Sequence, residues 1–286
     1  MNRIIHCLGP TGTYGHEVAK NIFPKIDEII FHDSNSEILF SLEEEKSRDS
    51  SFGIVPIENS SAGFVTEVVK EFWLPNIDNT IDIEVVGEFG HFINHTLAKC
   101  GECSKIERIF SHPQALSQCS NSISQLETEF ENKIELIPTS STSGSISKMR
   151  TETDAVICSK FAAELSSLQI IKSVFNDNSD NQTLFHVLKK IENTSDIKTH
   201  TALLFTLKDR VHNLVNALMC ISSFGANMHM IHSVSTGNLG EYAFYIEYDA
   251  DSNSNKGQRI LNALKNVVEG IIVLGSFSQI ERKIEQ

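Results

Sequence analysis

The feature that most constrains the fold is a set of short apolar runs that each end abruptly in small polar residues. In the clearest case, the run Gly53 to Ile57 is followed at once by Glu58, Asn59, Ser60 and Ser61. Similar polar islands adjoin apolar runs at Gly9 to Gly15, Ser111 to Gln114, Thr139 to Ser145 and Asp177 to Phe185. Side-chain donors and free backbone N–H groups at the carboxyl ends of strands make a site for a small anion. The pattern therefore predicts strand ends that converge on one pocket.

Strand-like and helix-like segments alternate along the first two thirds of the chain. The predicted strands are 3–8, 53–57, 81–89, 106–110, 134–137, 155–158 and 183–191, and the predicted helices are 14–23, 37–46, 63–72, 114–125, 146–150 and 160–167. Such alternation predicts an α/β fold with a mostly parallel sheet. The excursion to Ile171 and the return near Thr183 predict a bilobed domain over 1–191. We expect lobe 1 at about 1–80 and 176–191, lobe 2 at about 81–175, and a ligand between them.

A smaller second domain is predicted after a linker. Residues 192–200 are polar and lack periodicity, which is typical of a connecting segment. The predicted order after them is strand 201–207, helix 211–224, strands 226–234 and 241–248, helix 256–268 and strand 271–277. This βαββαβ order predicts a ferredoxin-like unit over 201–278.

Composition excludes two classes of partner. The net charge is −13, and no predicted helix carries the cluster of Lys and Arg that a nucleic acid or an anionic membrane surface requires. No apolar run is long enough to span a bilayer, and Met1 to Cys7 leads directly into a strand without a signal peptide. We therefore expect a cytoplasmic protein whose six cysteines are reduced.

The polar islands also carry a family resemblance. Five motifs occur in the order found in prephenate dehydratases: Gly9-Pro10-Thr11-Gly12-Thr13, Val55-Pro56-Ile57-Glu58-Asn59-Ser60, Ser111-His112-Pro113-Gln114-Ala115 with Gln118-Cys119, Ser141-Thr142, and Asp177 with Asn181, Thr183 and Phe185. The chain resembles that family over essentially its whole length. The resemblance implies a bilobed catalytic domain similar to periplasmic binding proteins, followed by an ACT domain at the ferredoxin-like unit.

The resemblance also implies an activity. Prephenate dehydratases convert prephenate to phenylpyruvate in phenylalanine biosynthesis, with loss of carbon dioxide and water as the ring becomes aromatic. Neither a metal nor an organic cofactor is required, because no redox step occurs. Family members are usually oligomeric, so a homodimer or homotetramer is implied.

The resemblance assigns roles to named residues. Thr183 is the expected catalytic residue, as a hydrogen-bond donor to the leaving hydroxyl. Glu58 and Asn181 are expected to orient neighbouring groups. The expected substrate-binding residues are Thr11, Gly12, Asn59, Ser60, His112, Ser141, Thr142 and Phe185. Each Ser or Thr also fits a helix N-cap, and His112 fits a ligand donor and a turn residue equally well.

Two departures from the family pattern leave alternatives open. The family's Thr-Arg-Phe motif reads Thr183-Leu184-Phe185 in this chain. Two other hypotheses therefore stay open. One is a prephenate decarboxylase that forms no aromatic ring, and the other is a small-molecule-binding homologue without catalysis. In the ACT domain, the family's phenylalanine motifs align with 212–214 and 232–235. The candidate effector residues, for an amino acid of unassigned identity, are therefore Asn213, Leu214, His232 and Ser233.

Four His and Cys residues form a competing candidate for a metal site. The spacing of His91, His95, Cys100 and Cys103 is loosely that of a zinc site. His95 has a counterpart in the dehydratase pattern, so we favour a protein in which these residues hold no metal.

Overall fold

The computed structural model describes residues 3–45, 51–77, 79, 81–101, 105–190, 198–238 and 240–280. Its strands are β1 Ile4–Leu8, β2 Glu28–His32, β3 Ser51–Asn59, β4 Gly63–Phe64, β5 Ile83–Phe92, β6 His95–Lys99, β7 Arg108–Ser111, β8 Glu135–Pro138, β9 Asp154–Ser159, β10 Gln169–Lys172, β11 Gln182–Lys190, β12 His200–Thr206, β13 Met228–Ser235, β14 Tyr242–Tyr248 and β15 Ile271–Gln279. Its α-helices are α1 Tyr14–Ile22, α2 Asn35–Glu44, α3 Pro113–Gln118, α4 Ser120–Glu129, α5 Lys160–Leu165, α6 Asn213–Ser222 and α7 Asn255–Leu264.

The strands form two sheets, and each is mixed rather than mostly parallel. The ten-stranded sheet has the order β13-β14-β12-β15-β5-β11-β3-β1-β2, with β4 paired to β3, and the five-stranded sheet has the order β10-β6-β9-β7-β8. Strand β11 runs antiparallel to both β3 and β5. The expectation of a mostly parallel sheet is wrong because β5 leads out of lobe 1 and β11 returns to it, so the two crossing strands oppose each other. Since β5 belongs to the larger sheet, lobe 2 begins after it and not at residue 81.

The predicted helix at 63–72 is wrong, because it contains the unpredicted strand β4, and three further strands were missed. Residues 63–72 contain the short strand β4 and part of a π-helical turn, Val69–Trp73. The side chain of Asn59 accepts hydrogen bonds from the backbone N–H groups of Ser61 and Ala62, at 3.0 and 2.8 Å, and so reverses the chain into β4. The missed strands β2, β6 and β10 are four or five residues long. Such short runs show too few repeats for a period to be read.

The predicted ferredoxin-like unit is confirmed. Strands β12 to β15 and helices α6 and α7 follow the βαββαβ order, and the strands pair antiparallel as β13-β14-β12-β15. Strand β15 also pairs in parallel with β5 of lobe 1, which makes one continuous sheet. Residues 192–197 of the predicted linker lie outside the described residues, and its last residue, His200, begins β12.

The ferredoxin-like unit packs on lobe 1 through a shared core. One hydrophobic cluster contains Phe72 and Trp73 of lobe 1 together with Val234, Tyr245 and Phe277 of the ferredoxin-like unit. Because burial of apolar area is the main stabilising term in folding, this core holds the two parts together. Among the residues described, no helix has both the length and the apolar character needed to cross a membrane.

A buried ion pair fixes the sheet of lobe 2. The fully buried carboxylate of Asp154, at the start of β9, accepts hydrogen bonds from Arg108 Nε at 2.7 Å and Nη2 at 3.1 Å. It also accepts hydrogen bonds from the backbone N–H groups of Arg150 and Thr151, at 2.7 and 3.0 Å. Burial, the largest single influence, raises the pKa of Asp154, but these hydrogen bonds together outweigh it and lower the pKa below its usual value.

We predict that Asp154→Asn lowers the free energy of unfolding at pH 7 by about 3 kcal/mol, because it removes one partner of a buried pair. The lowered pKa means that Asp154 stabilises the fold fully above its ordinary value of 3.8 and loses that contribution as pH falls through the folded-state pKa. Denaturant unfolding of both proteins at pH 7 and pH 3 measures this difference. It should shrink at pH 3, and an equal difference at the two pH values would contradict the assignment.

Candidate active site

A cavity of about 350 Å³ lies between the two lobes, where several strand ends meet. Such a volume is typical of a small-molecule site. Lobe 1 contributes residues from the loop before α1, from β3 and from β11, and lobe 2 contributes residues from α3 and the loop after β8. The polar lining residues are Thr13, Tyr14, Asn59, His95, His112, Gln114, Gln118, Ser140, Ser141, Thr142, Asn181 and Thr183.

Thr183 lies in the cavity wall and is held by Asn59. The two residues are register partners on β11 and β3, and Asn59 Nδ2 donates to Thr183 Oγ1 at 2.9 Å. The same amide donates to Asn181 Oδ1 at 2.8 Å, while its oxygen is held by the turn after β3. Because Thr183 Oγ1 accepts this bond, its own hydroxyl hydrogen stays available to a ligand.

Strand alternation places the residues around Thr183 on two opposite faces of β11. Thr183 and Phe185 line the cavity, whereas Leu184 packs against the hydrophobic cluster shared with the ferredoxin-like unit. The residue at the arginine position of the family motif therefore does not line the cavity.

The wall from lobe 2 presents hydroxyl, imidazole and amide groups. His112 caps α3 with Nδ1, which accepts from the backbone N–H of Gln114 at 3.3 Å, so the neutral ring carries its proton on Nε2. Ser141 Oγ accepts from the backbone N–H of Gly144 at 3.0 Å, which leaves the hydroxyl hydrogen free. His112, predicted as a ligand donor or a turn residue, is the N-cap of α3 and also lines the cavity, and Ser141 and Thr142 line the same wall.

A partly buried chain of three side chains connects the two lobes at the cavity. The hydroxyl of Tyr14 lies 3.0 Å from His95 Nδ1, and His95 Nε2 lies 2.8 Å from Gln118 Oε1. Burial lowers the pKa of His95, against the opposing effect of its bond to Gln118, and burial raises the pKa of Tyr14 well above its usual value. Both groups are therefore neutral at pH 7. Since Gln118 Oε1 is occupied by an N–H donor, its amide NH₂ is the part left to bind a ligand.

The cavity offers neutral donors in place of fixed positive charge. Among the described residues that line it, none is Lys or Arg. Tyr14 and Gly15 are the first two residues of α1, whose N-terminal N–H groups lack intrahelical partners and attract anions. The buried thiols of Cys119 and Cys158 have pKa values raised to about 12, so they are not nucleophiles at neutral pH.

Three of the expected substrate-binding residues do not line the cavity. The N–H of Gly12 is bound to His16 Nδ1 at 3.1 Å, and a Cβ at Gly12 would lie 3.1 Å from Ala162, so this loop is a contact between the lobes. Thr11 is exposed beside it. Ser60 Oγ accepts from the backbone N–H of Gln182 at 2.9 Å and ties β3 to β11. Thr13, Tyr14 and Gly15 occupy the cavity wall instead.

The two residues expected to orient neighbouring groups lie in different places. Asn181 lines the cavity and binds Asn59. Glu58 points away from the cavity, towards the ferredoxin-like unit, where its Oε1 lies 3.2 Å from His232 Nε2. The ring of His232 also stacks on Phe64, with 4.3 Å between ring centroids.

The four candidate effector residues are separated in the structure. Asn213 and Leu214 line a second cavity of about 120 Å³, beside Arg210 and Tyr242. His232 faces lobe 1, and Ser233 follows it on β13, outside that second cavity.

Among the described residues, His91, His95 and Cys100 do not form a cluster that could hold a metal ion. Both ring nitrogens of His95 are engaged by Tyr14 and Gln118, and His91 Nε2 lies 3.6 Å from Glu17. Cys100 is exposed, and Cys103 lies outside the described residues.

Several cavity residues were not predicted from the sequence. Tyr14, His95 and Gln118 are the main ones, and Gln118 already stood in one of the quoted motifs. The position of Tyr14 at the first turn of the helix after a polar island was a usable signal. The pairing of His95 with Tyr14 and Gln118 joins distant parts of the chain, so it leaves no local signal in the sequence.

The chain has a bilobed α/β fold with a donor-lined cleft at its strand ends, which is the kind of place where small molecules bind. The chain belongs to the prephenate dehydratase family, whose model matches residues 5–193. The prephenate dehydratase of Methanocaldococcus jannaschii is 29% identical over 287 residues, which cover 97% of this chain and 98% of that protein. The predicted family and fold class are thereby confirmed.

Two solved structures share the fold over nearly the whole chain. A prephenate dehydratase from Arthrobacter aurescens in complex with L-Phe has a TM-score of 0.78 at 23% identity, and covers 96% of this chain and 90% of its own. A protein described as GqqA, a novel type of quorum quenching acylase, has a TM-score of 0.80 at 21% identity, and covers 99% of this chain and all of its own. At these identities the likeness establishes the fold alone.

We predict that Leu184→Ala lowers the free energy of unfolding by about 1 to 2 kcal/mol, since Leu184 is a partly buried member of the core on the far side of β11. Chemical denaturation measures the change. Leu165→Ala is the matched control, because Leu165 is 52% exposed and its removal should change stability by less than about 0.5 kcal/mol. Equal losses in the two variants would place Leu184 outside the core.

Proposed function

We propose that this chain is a lyase that converts prephenate to phenylpyruvate, carbon dioxide and water. The observation that carries the proposal is the position of Thr183, which lines the inter-lobe cavity while Asn59 occupies its oxygen as a donor at 2.9 Å. Membership of the prephenate dehydratase family and the names of the curated relatives support the same reaction.

Binding of the substrate rests on neutral donors. Prephenate carries two carboxylates and a ring hydroxyl, and the free donors lie in both lobes: the N–H groups at the start of α1 in lobe 1, and the hydroxyl of Ser141, the Nε2–H of His112 and the amide of Gln118 in lobe 2. Phe185 supplies an apolar surface for the ring. We assign one carboxylate to each side of the cleft, which places the ring between the lobes.

The chemical step breaks two bonds. The C–C bond to the ring carboxylate breaks, its electron pair forms a ring double bond, and the C–O bond to the ring hydroxyl breaks with release of water. Aromatisation drives the step, and one proton from solvent completes the water molecule. A threonine hydroxyl is too weak an acid to give up its proton at neutral pH, so Thr183 acts by a hydrogen bond that strengthens as charge develops on the departing oxygen.

We predict that Thr183→Ala reduces kcat/KM for phenylpyruvate formation by about 10²- to 10³-fold, the effect of removing one donor to a developing negative charge. Thr183→Ser should retain most of the activity, since it keeps the hydroxyl. Incubation of each purified protein with prephenate, followed by chromatographic identification of the product, measures both.

Leu184→Ala is the control for this experiment, because the neighbouring side chain faces the opposite side of β11 and should leave kcat/KM within a few-fold of the parent. Full activity in Thr183→Ala would refute the assigned role. A decarboxylated product without a benzenoid absorption band would establish the decarboxylase alternative. Ligand binding without turnover in the unaltered protein would establish a non-catalytic binding protein.

We further propose that the ferredoxin-like unit is an ACT domain that binds an amino acid and pairs with a second copy. Its second cavity, lined by Asn213, Leu214 and Arg210, offers an amide and a guanidinium to an amino-acid carboxylate. Pairing is supported by exposed apolar side chains of and beside α6, namely Val211, Val215 and Met219, which are 83%, 52% and 55% exposed. A homodimer or a homotetramer built from such dimers fits this surface, with prephenate and an amino acid as the small-molecule partners.

The proposed setting of the reaction is the cytoplasm. The cysteines that the structure describes, Cys7, Cys100, Cys119, Cys158 and Cys220, are all free thiols. Free thiols are typical of a reducing compartment.

A further inference from the structure

Three ionisable side chains meet in the interior where β11 faces the ferredoxin-like unit. Glu88 of β5 and His186 of β11 are direct register partners, and Glu247 projects onto them from β14. Their exposed fractions are 6%, 2% and 3%. The ligating atoms, one from each residue, all lie within 4.8 Å of one another. The cluster lies on the face of β11 opposite the cavity, so it is separate from the site described above.

The imidazole of His186 is aimed into this cluster without a hydrogen bond. Its Nε2 lies 3.2 Å from Glu247 Oε1 and 3.9 Å from Glu88 Oε2, yet neither oxygen is aligned to accept a hydrogen bond from it. An unpartnered polar atom in the interior is costly unless it binds something else. His186 Nε2 therefore lies in the interior, within 4 Å of both carboxylates, without a hydrogen-bond partner among the described residues.

The charges of the cluster are also unbalanced. Two buried carboxylates, those of Glu88 and Glu247, face one imidazole. One protonated histidine neutralises only one carboxylate. A divalent cation neutralises both and leaves His186 neutral, which is the form of histidine that ligates metals.

The carboxylates are held by further side chains, as metal ligands usually are. Gln279 of β15 donates to Glu88 Oε1 at 3.3 Å, and the buried hydroxyl of Tyr245 donates to Glu247. These bonds fix the orientation of both carboxylates towards His186.

We propose that Glu88, His186 and Glu247 bind one divalent transition-metal ion that clamps the ferredoxin-like unit to the catalytic sheet. One imidazole and two carboxylates are ligands that zinc and manganese accept, at about 2.0 to 2.2 Å for zinc. The pairwise distances of 3.2 and 3.9 Å measured from His186 Nε2 are near the separation of about 3.4 Å that two ligands have around such an ion. The ion would be structural, because Thr183 and Phe185 face the other side of the strand.

Zinc is the probe for this site. The full-length protein is dialysed against a chelator and titrated with Zn²⁺ in competition with a chromophoric zinc chelator. We expect one Zn²⁺ per chain, an increase in the thermal unfolding midpoint on addition of Zn²⁺, and an X-ray absorption spectrum with a nitrogen and oxygen shell and no sulfur. The variants Glu247→Gln and His186→Asn should each weaken Zn²⁺ binding by at least about 100-fold, as expected for loss of a ligand.

The matched controls are Glu17→Gln and His91→Asn, because these residues form another Glu–His pair in lobe 1, with His91 Nε2 3.6 Å from Glu17. Both should bind Zn²⁺ as the parent does. Circular dichroism shows whether each variant is folded, and Glu88→Gln provides a third ligand variant if one of the others is not. Absence of stoichiometric Zn²⁺ binding, sulfur ligation, or equal binding in the ligand and control variants would overturn the proposal.

Discussion

The structure depends most on strand β11, whose successive side chains point to opposite faces of the sheet. Thr183 and Phe185 face the cavity, while Leu184 and Leu188 join the core shared with the ferredoxin-like unit and His186 contacts Glu247 of that unit. A shift of one residue in the pairing of β11 would exchange these two faces. The bond from Asn59 to Thr183 and the buried contacts on the other face therefore select the same register.

The sequence predicted the elements that carry local signals and missed contacts that depend on distant parts of the chain. The βαββαβ order of the ferredoxin-like unit and the two crossings between the lobes were readable from periodicity and turn residues. The mixed sheet was not readable in this way, because pairing of β11 between β3 and β5 joins residues ninety or more positions apart, such as Gln182 with Phe92. At the site, Thr183, Asn59 and Ser141 were predicted to lie close together, and they do line one cavity, whereas the contact of Glu58 with His232 had no local signal.

The neutral character of the cavity suits a reaction that destroys a charge. A carboxylate that departs as carbon dioxide loses its negative charge, so a fixed cation beside it would stabilise the ground state more than the transition state. Tyr14, His95 and Gln118 form a connected and uncharged set of hydrogen bonds in the same wall. Neutral donors position the substrate without strongly opposing the loss of its negative charge. They are also oriented before the substrate binds.

The ferredoxin-like unit contacts the strand end that carries Asn59, the hydrogen-bond partner of Thr183. Glu58 and Asn59 are consecutive residues at the end of β3, with Glu58 directed at His232 and Asn59 directed at Thr183. The ferredoxin-like unit therefore contacts the residue next to the one that holds Thr183. Asn59 itself is held by its bonds to Asn181 and to the turn after β3. None of the described residues of that unit lines the cavity, so its link to the site runs through neighbouring residues of the shared sheet.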